Sequence, residues 1–480
     1  MNPGSFAYFI LRNKRNRQYL LAFPLAIIEI IIFKQLYPFP DFISDSYSYI
    51  VTNLYHMKVN LWPIGYSIFL NIVHAISPSQ YLLVTCQYLM QVLAFLYFFY
   101  TTLFLFKFNK ARTRILLFTF LFFNPLFIYL SNCVLSDTLF CAISIVIFTQ
   151  FLWMAYKTSY LNLIISGLLI GLAFTIRYTA IYYPIFAIVG FGITTFKWYE
   201  KVLGMLLPWL LIIPFIIYTQ QKTKEITGTA EFSVFGGWQM ANNALYMYGH
   251  IQVDNAKVPP HARELDLLSK RYFEENNPSG GELASIPGTY FIKVPEAILK
   301  PYLVSHTKFS DDTSQFRAWG QVSPIYNEYG KYLIKQYPLA FIRYFICLNI
   351  RNYFLPYLEK FGNYNLEQEE VGELVATWFQ WKDRRVLSLP SAQFQQLFYG
   401  IYPLLFLIFN IYFAARFTQY FIINKCRPEN KMVFHLFILA LTFLIINFGF
   451  SVFASPIVLR YQIVPMILLF FLCVYIKDLV

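Results

Sequence analysis

Apolar residues fall along this chain in long blocks, not in alternation. The blocks are roughly 17–25 residues long, the length an α-helix needs to cross a hydrocarbon core of ~30 Å. Short polar stretches separate them. The pattern predicts an all-α polytopic membrane protein with about ten transmembrane helices, near 18–37, 81–106, 115–131, 138–156, 161–176, 180–196, 202–219, 398–415, 432–453 and 462–476. Pro38 and Pro40 end the first block, because proline lacks a backbone N–H and fixes φ. They open a first outer loop at 38–80, with a short interfacial helix expected at 44–55 and Ser44 or Asp45 as its N-cap. Asn124-Pro125 predicts a kink. Gly167 and Gly171, four apart on one helix face, permit a close helix approach.

The pattern changes at 220–395, where Gly, Pro, Asn, Glu and Lys occur throughout. That is too long for a simple connection, and predicts an extracytoplasmic lobe, mixed or mainly helical. Within it, 338–358 is apolar but carries Arg343, Asn349 and Arg351, and reads as an interfacial helix rather than a span. The domain reading is therefore a transmembrane module at 1–219, the lobe at 220–395, and C-terminal transmembrane helices at 396–480.

Composition agrees with the blocks. The apolar class makes up 58% of the 480 residues and charged residues only 13%, against about 25% in soluble domains. The net charge of +13 is placed in short loops: 12–17, 107–114, 157, 197–201, 416–431 and 477. Loops of this kind stay in the cytoplasm, so the charge marks topology and not nucleic-acid binding. The Arg and Lys residues before the first block, with no small-residue cleavage site behind it, read as a retained anchor. Six cysteines are scattered without a C-x-x-C pair, so neither a disulfide framework nor a zinc site follows.

With both termini inside, Asp41, Asp45, Asp137, Arg177 and Arg460 gather at the outer face from four loops or helix ends. Arginine binds phosphate bidentately, and a carboxylate can accept a proton from an attacking hydroxyl. The set suits chemistry on a phosphate-bearing lipid. Each residue also has a plain structural reading. Arg177 and Arg460 fit snorkelling residues, Asp137 and Asp45 fit helix-terminal residues, and Asp41 fits a turn. Glu29, inside the first block, reads as a bundle-facing group paired with a polar partner, with a functional role as the alternative.

Asp45-Ser-Tyr-Ser-Tyr49 followed by Pro63-Ile-Gly-Tyr-Ser-Ile-Phe69 resembles the first outer loop of the GT-C superfamily of membrane glycosyltransferases. This group includes protein O-mannosyltransferases and lipid A aminoarabinose transferases. Asn124-Pro125, Leu135–Phe140, the Gly-rich helix from Gly167 to Arg177 and Pro184, Phe235-Gly236-Gly237 with Asn242-Asn243, and Leu459-Arg460-Tyr461 to Pro465 are similar to that group's later elements. The likeness covers 40–240 and the last span. It implies a sugar donor on a polyprenyl phosphate and a hydroxyl acceptor on a lipid, glycan or protein. The implied setting is a bacterial inner membrane, with the site on the extracytoplasmic side.

By the same resemblance Asp45 is the general base, and Arg177 and Arg460 hold the leaving phosphate. Lys58 and His56 are further phosphate candidates, because many members carry Lys or His where this chain has Trp62. Asp41 and Asp137 orient the acceptor or hold a divalent metal, although no His/Asp cluster stands at ligand spacing. Tyr49, Trp62 and Asn242 are the substrate-contacting candidates. The Trp-Trp-Asp motif of oligosaccharyltransferases is absent, which argues against en bloc glycan transfer. Two alternatives remain open at this level: a lipid or polysaccharide transporter, and a surface-polysaccharide polymerase or ligase using a diphosphate-linked glycan.

Overall fold

The computed structural model describes residues 5–276, 278, 280–285, 288–309, 313–424, 430–454 and 456–479. Among these residues every regular element is helical. Lys425, Arg427 and Ser455, which the sequence assigns to an inner loop and the last outer turn, lie outside them.

Among the described residues, eight helices are long and apolar enough to cross a membrane: Lys14–Leu36, Gln80–Leu105, Ala111–Asn132, Asp137–Tyr156, Trp198–Thr227, Ala392–Ile423, Lys431–Ala454 and Leu459–Leu479. This is the make-up of a multi-pass membrane protein. Two further expected spans, at 161–176 and 180–196, emerge as the shorter helices Tyr160–Ile176 and Tyr178–Gly192. The second begins as a 3-10 turn, Tyr178–Tyr182, before becoming α-helical at Tyr183. Most residues of Asp137–Tyr156 and Leu459–Leu479 are buried and these helices form the centre of the bundle, whereas few residues of Trp198–Thr227 and Ala392–Ile423 are buried and these lie at its edge. The edge helices present Leu210, Ile408 and Ile411 outward, a surface suited to lipid and costly in water.

Local chemistry sets the breaks. At Asn124-Pro125 the expected kink is a full interruption. Helix Ala111–Phe122 ends, Asn124 caps Pro125–Asn132 by accepting from the Leu126 N–H, and Pro125 occupies the first turn where its missing donor costs nothing. Gly167 and Gly171 lie against Leu207 and Leu211, and an added Cβ at either would come within 2.6 Å of a leucine side chain. That close approach lets Tyr160–Ile176 pack on Trp198–Thr227.

Buried side chains form two clusters. The larger fills the bundle and takes in Phe361, Val371, Val375 and Phe379 beside Phe42 and Tyr49 of the first loop. The smaller joins Val59 and Leu61 to a helical body spanning Val234 to Phe345. Its axis is the helix pair Phe235–Leu245 and Ser314–Gln336, locked by Trp238 stacked on Trp319 at 3.9 Å. The apolar stretch at 338–358 becomes Pro338–Phe341, a π-turn Ile342–Ile346 and Cys347–Phe354. Asn349 and Tyr353 tie it to the helix Lys431–Ala454, through the Val452 carbonyl at 2.9 Å and Asn447 at 3.0 Å.

Candidate functional site

Two backbone pairings bring distant loops to one end of the bundle. Asp41 bridges Cys133, and Tyr357 bridges Val458, with the Leu459 N–H donating to the Tyr357 carbonyl at 2.8 Å. The first pairing sets the helix Ser44–Leu54 beside the start of Asp137–Tyr156. The second delivers Glu359 next to Arg460.

Helix Ser44–Leu54 begins after Ile43, whose N–H donates to the Ser46 hydroxyl at 3.0 Å. Neither Ser44 nor Asp45 is the cap, as the sequence had suggested, because Ser46 meets that need. Asp45, in the first turn, is left to accept from Arg460 Nη2 at 3.0 Å. Asp137 opens its own helix without a side-chain cap bond. It faces Arg460 Nη1 at 3.4 Å and accepts a short hydrogen bond from Arg177. Glu359 accepts from Arg460 Nε at 3.3 Å and from Lys293 Nζ at 2.6 Å. Arg460 thus donates from each of its three nitrogens to a different carboxylate, and Arg177, Arg460 and Lys293 balance the three acids.

The arginines do not snorkel. Their side chains are 12% exposed for Arg177 and 8% for Arg460, and both pack on one ring. The Tyr461 ring lies 4.3 Å from the Arg177 guanidinium carbon and 4.6 Å from that of Arg460. An aromatic face shared by two cations offsets part of their repulsion. Tyr49 stands beside the acids, its hydroxyl 3.1 Å from Ser136 Oγ and its ring edge-on to Tyr66.

These groups line one cavity of ≈ 730 Å³. Asp45, Asp137, Arg177 and Arg460 line it as one ion-paired group. One wall is aromatic and comes from the loop and the smaller core, with Trp62, Phe235 and Trp319. Another runs between the helices past Phe140, Tyr182, Phe443, Phe450 and Val464, and is largely apolar. Lys293 and Lys300 face the same space. Burial holds the Lys300 ammonium below its usual range, with Glu296 opposing.

Compared with family models, with characterised proteins and with solved structures, the chain finds no match. The site is therefore read from its own geometry.

That geometry divides the sequence candidates. Asp45, Asp137, Arg177, Arg460, Tyr49 and Trp62 share the cavity. Asp41 does not line it. Asp41 is buried, accepts from the Tyr129 hydroxyl at 2.7 Å and the Asn365 N–H at 2.8 Å, and acts as a pin between loops rather than a surface turn residue. Burial pushes its carboxyl up to about 7. Asn242 is likewise internal to the smaller body, donating to Asn243 at 3.0 Å and the Gly288 carbonyl at 2.7 Å, while Gly236 and Gln239 of the same helix reach the cavity. His56 and Lys58 are exposed and outside the cavity, so the structure does not bring them to Arg460. His56 takes φ 48 at the loop's turn.

Sequence reasoning missed Glu359, Lys293, Lys300 and Tyr461. Tyr461 carried a usable signal, since it follows Arg460 directly. The other three sit in the long lobe among many acids and lysines, and only the chain path singles them out. Among the described residues, no group of three or more His, Cys, Asp or Glu side chains is placed to hold a metal ion. The acids of the site converge on a guanidinium instead. Glu29 accepts from the Tyr88 hydroxyl at 2.5 Å, within the bundle.

Proposed function

We propose that this protein is an integral-membrane glycosyltransferase that moves a sugar from a polyprenyl-phosphate donor to a hydroxyl acceptor. In this reading the chain crosses the membrane ten times, with the two shorter helices counted as spans. The basic loops stay in the cytoplasm and the cavity opens at the extracytoplasmic face. One observation carries the reading: two buried arginines and an accessible carboxylate share a cavity whose further wall is apolar and lies between membrane helices. A phosphate with an isoprenoid tail has the same two halves.

The chemistry follows from exposure. Asp45 is 17% exposed, against 10% for Glu359 and 2% for Asp137. Asp45 is thus the carboxylate an incoming hydroxyl can reach. It takes the acceptor proton as the acceptor oxygen bonds to the anomeric carbon. The bond from that carbon to the phosphate oxygen breaks, the electron pair leaves with the polyprenyl phosphate, and the configuration inverts. Protonation of Asp45 discharges its pair with Arg460, so the guanidinium turns to the charge growing on the phosphate. Trp62 and Phe235 offer ring faces for the acceptor side.

Asp45→Asn tests this. It should insert and unfold like the wild type while transfer falls by about 10²–10⁴-fold, the usual size of a lost general base. Transfer within a few-fold of wild type would remove Asp45 from the chemistry. Paired assays with monophosphate- and diphosphate-linked donors separate a transferase of this type from a polymerase or ligase.

A further inference from the structure

Arg460 presents a difficulty for any phosphate-binding role: each of its three nitrogens already donates to a carboxylate. An incoming anion competes with these carboxylates for the guanidinium charge, and the three are not equally fixed. Asp137 is the most buried, and holds Arg177 as well. Asp45 stands in the first turn of a helix. Glu359 lies in a short 3-10 turn, at a backbone φ of 52 that a glutamate adopts only with strain. It is reached from the Tyr357 pairing and not from a long helix.

Glu359 also bridges two cations, one oxygen on Arg460 Nε and the other on Lys293 Nζ. Two oxygens of a phosphate can take the same two positions. Lys293 and Lys300 belong to neighbouring helices of the smaller body, Tyr290–Lys293 and Leu299–His306, and both face the cavity.

We infer that Arg460, Lys293 and Lys300 form an anion subsite for a phosphate ester, and that Glu359 fills it as an internal occupant until the ligand arrives. This rests on the glycosyltransferase reading and adds to it the residues of the helical body that would hold the donor's phosphate. Binding then consists of an exchange. The phosphate takes the place of one carboxylate between the same cations, and the loop bearing Glu359 relaxes. The exchange keeps the cluster near neutrality, so a buried excess of positive charge never forms. The subsite accepts a monoester or diester phosphate and gains nothing from a neutral prenyl alcohol.

The experiment measures binding of farnesyl phosphate and of farnesol to detergent-solubilised full-length protein, by fluorescence of the cavity tryptophans. Wild type should prefer the phosphate. Glu359→Gln should bind it about tenfold more tightly, since a charged competitor is removed, while Lys293→Met and Lys300→Met each weaken it by about the worth of one charge-assisted hydrogen bond. Affinity for farnesol should not change in any variant. If Glu359→Gln fails to insert, Glu359→Asp, which keeps the charge but shortens the reach, should move in the same direction by less. A wild type that prefers the phosphate while Glu359→Gln binds it no better overturns the internal-occupant inference and leaves the transferase reading standing. A wild type that does not distinguish phosphate from alcohol overturns both.

Discussion

At the residue scale, what matters is which carboxylate does which job. Four acids lie in or beside the cluster, and their surroundings separate them. Asp41 is enclosed by Tyr129 and Asn365, Asp137 is locked to two arginines, Glu359 bridges two cations, and Asp45 alone keeps appreciable access to the cavity. Asp41 has a consequence of its own. Burial lifts its carboxyl to about 7, whereas an unfolded chain gives up that proton near ~3.9. Between those values the folded protein binds more protons than the unfolded one, so stability falls as pH rises through the window. Glu231, also raised by burial, adds in the same direction. The midpoint of thermal unfolding in detergent should therefore drop between about pH 4 and pH 7, and Asp41→Asn should flatten part of that slope. An unchanged slope in the variant would mean that Asp41 does not set it.

The elements explain how loops so far apart are held in register. Helix Phe235–Leu245 meets Ser314–Gln336 with its Gly237 against backbone: a Cβ there would lie 2.0 Å from the Ser323 carbonyl oxygen. Gly236, next to it, has nothing within 4 Å of the same construction. Gly237→Ala should cost about 1–3 kcal/mol or more, as overpacking against a rigid partner does. Gly236→Ala should stay within about 1 kcal/mol of wild type and lean towards stabilisation. Thermal unfolding of the two variants side by side checks this, and equal midpoints would show that the helix pair is looser than described. At this scale the sequence was most readable. The apolar blocks, the Asn124-Pro125 break and the Gly167/Gly171 approach all follow from local rules of length, capping and size. The start of helix Ser44–Leu54 was legible too, but its capping was not, because Ser44, Asp45 and Ser46 are all polar residues suited to a helix start, and only the path of the chain shows that Ser46 turns back to the backbone.

The whole molecule is a bundle carrying a helical body over one end, with the charged cluster at the junction. Arg460 and Asp137 were legible because each adjoins an apolar block whose end fixes its level. Glu359 and Lys293 were not, because their levels depend on a fold of the intervening chain that no periodicity encodes. His56 and Lys58 show the converse: close to Trp62 in sequence, they are carried outward by the turn at His56. The cavity draws its charge from both bundle and body and its apolar wall from the bundle, so a ligand with a phosphate head and a hydrocarbon tail would touch every part of it. Such a ligand gives the most direct test. A cryo-EM structure of the protein in lipid nanodiscs with a polyprenyl phosphate should show the phosphate about 3 Å from Arg460, with the chain running past Phe140 and Phe443. Density for the lipid outside this cavity, with Arg460 still held by Asp45, Asp137 and Glu359, would contradict the account.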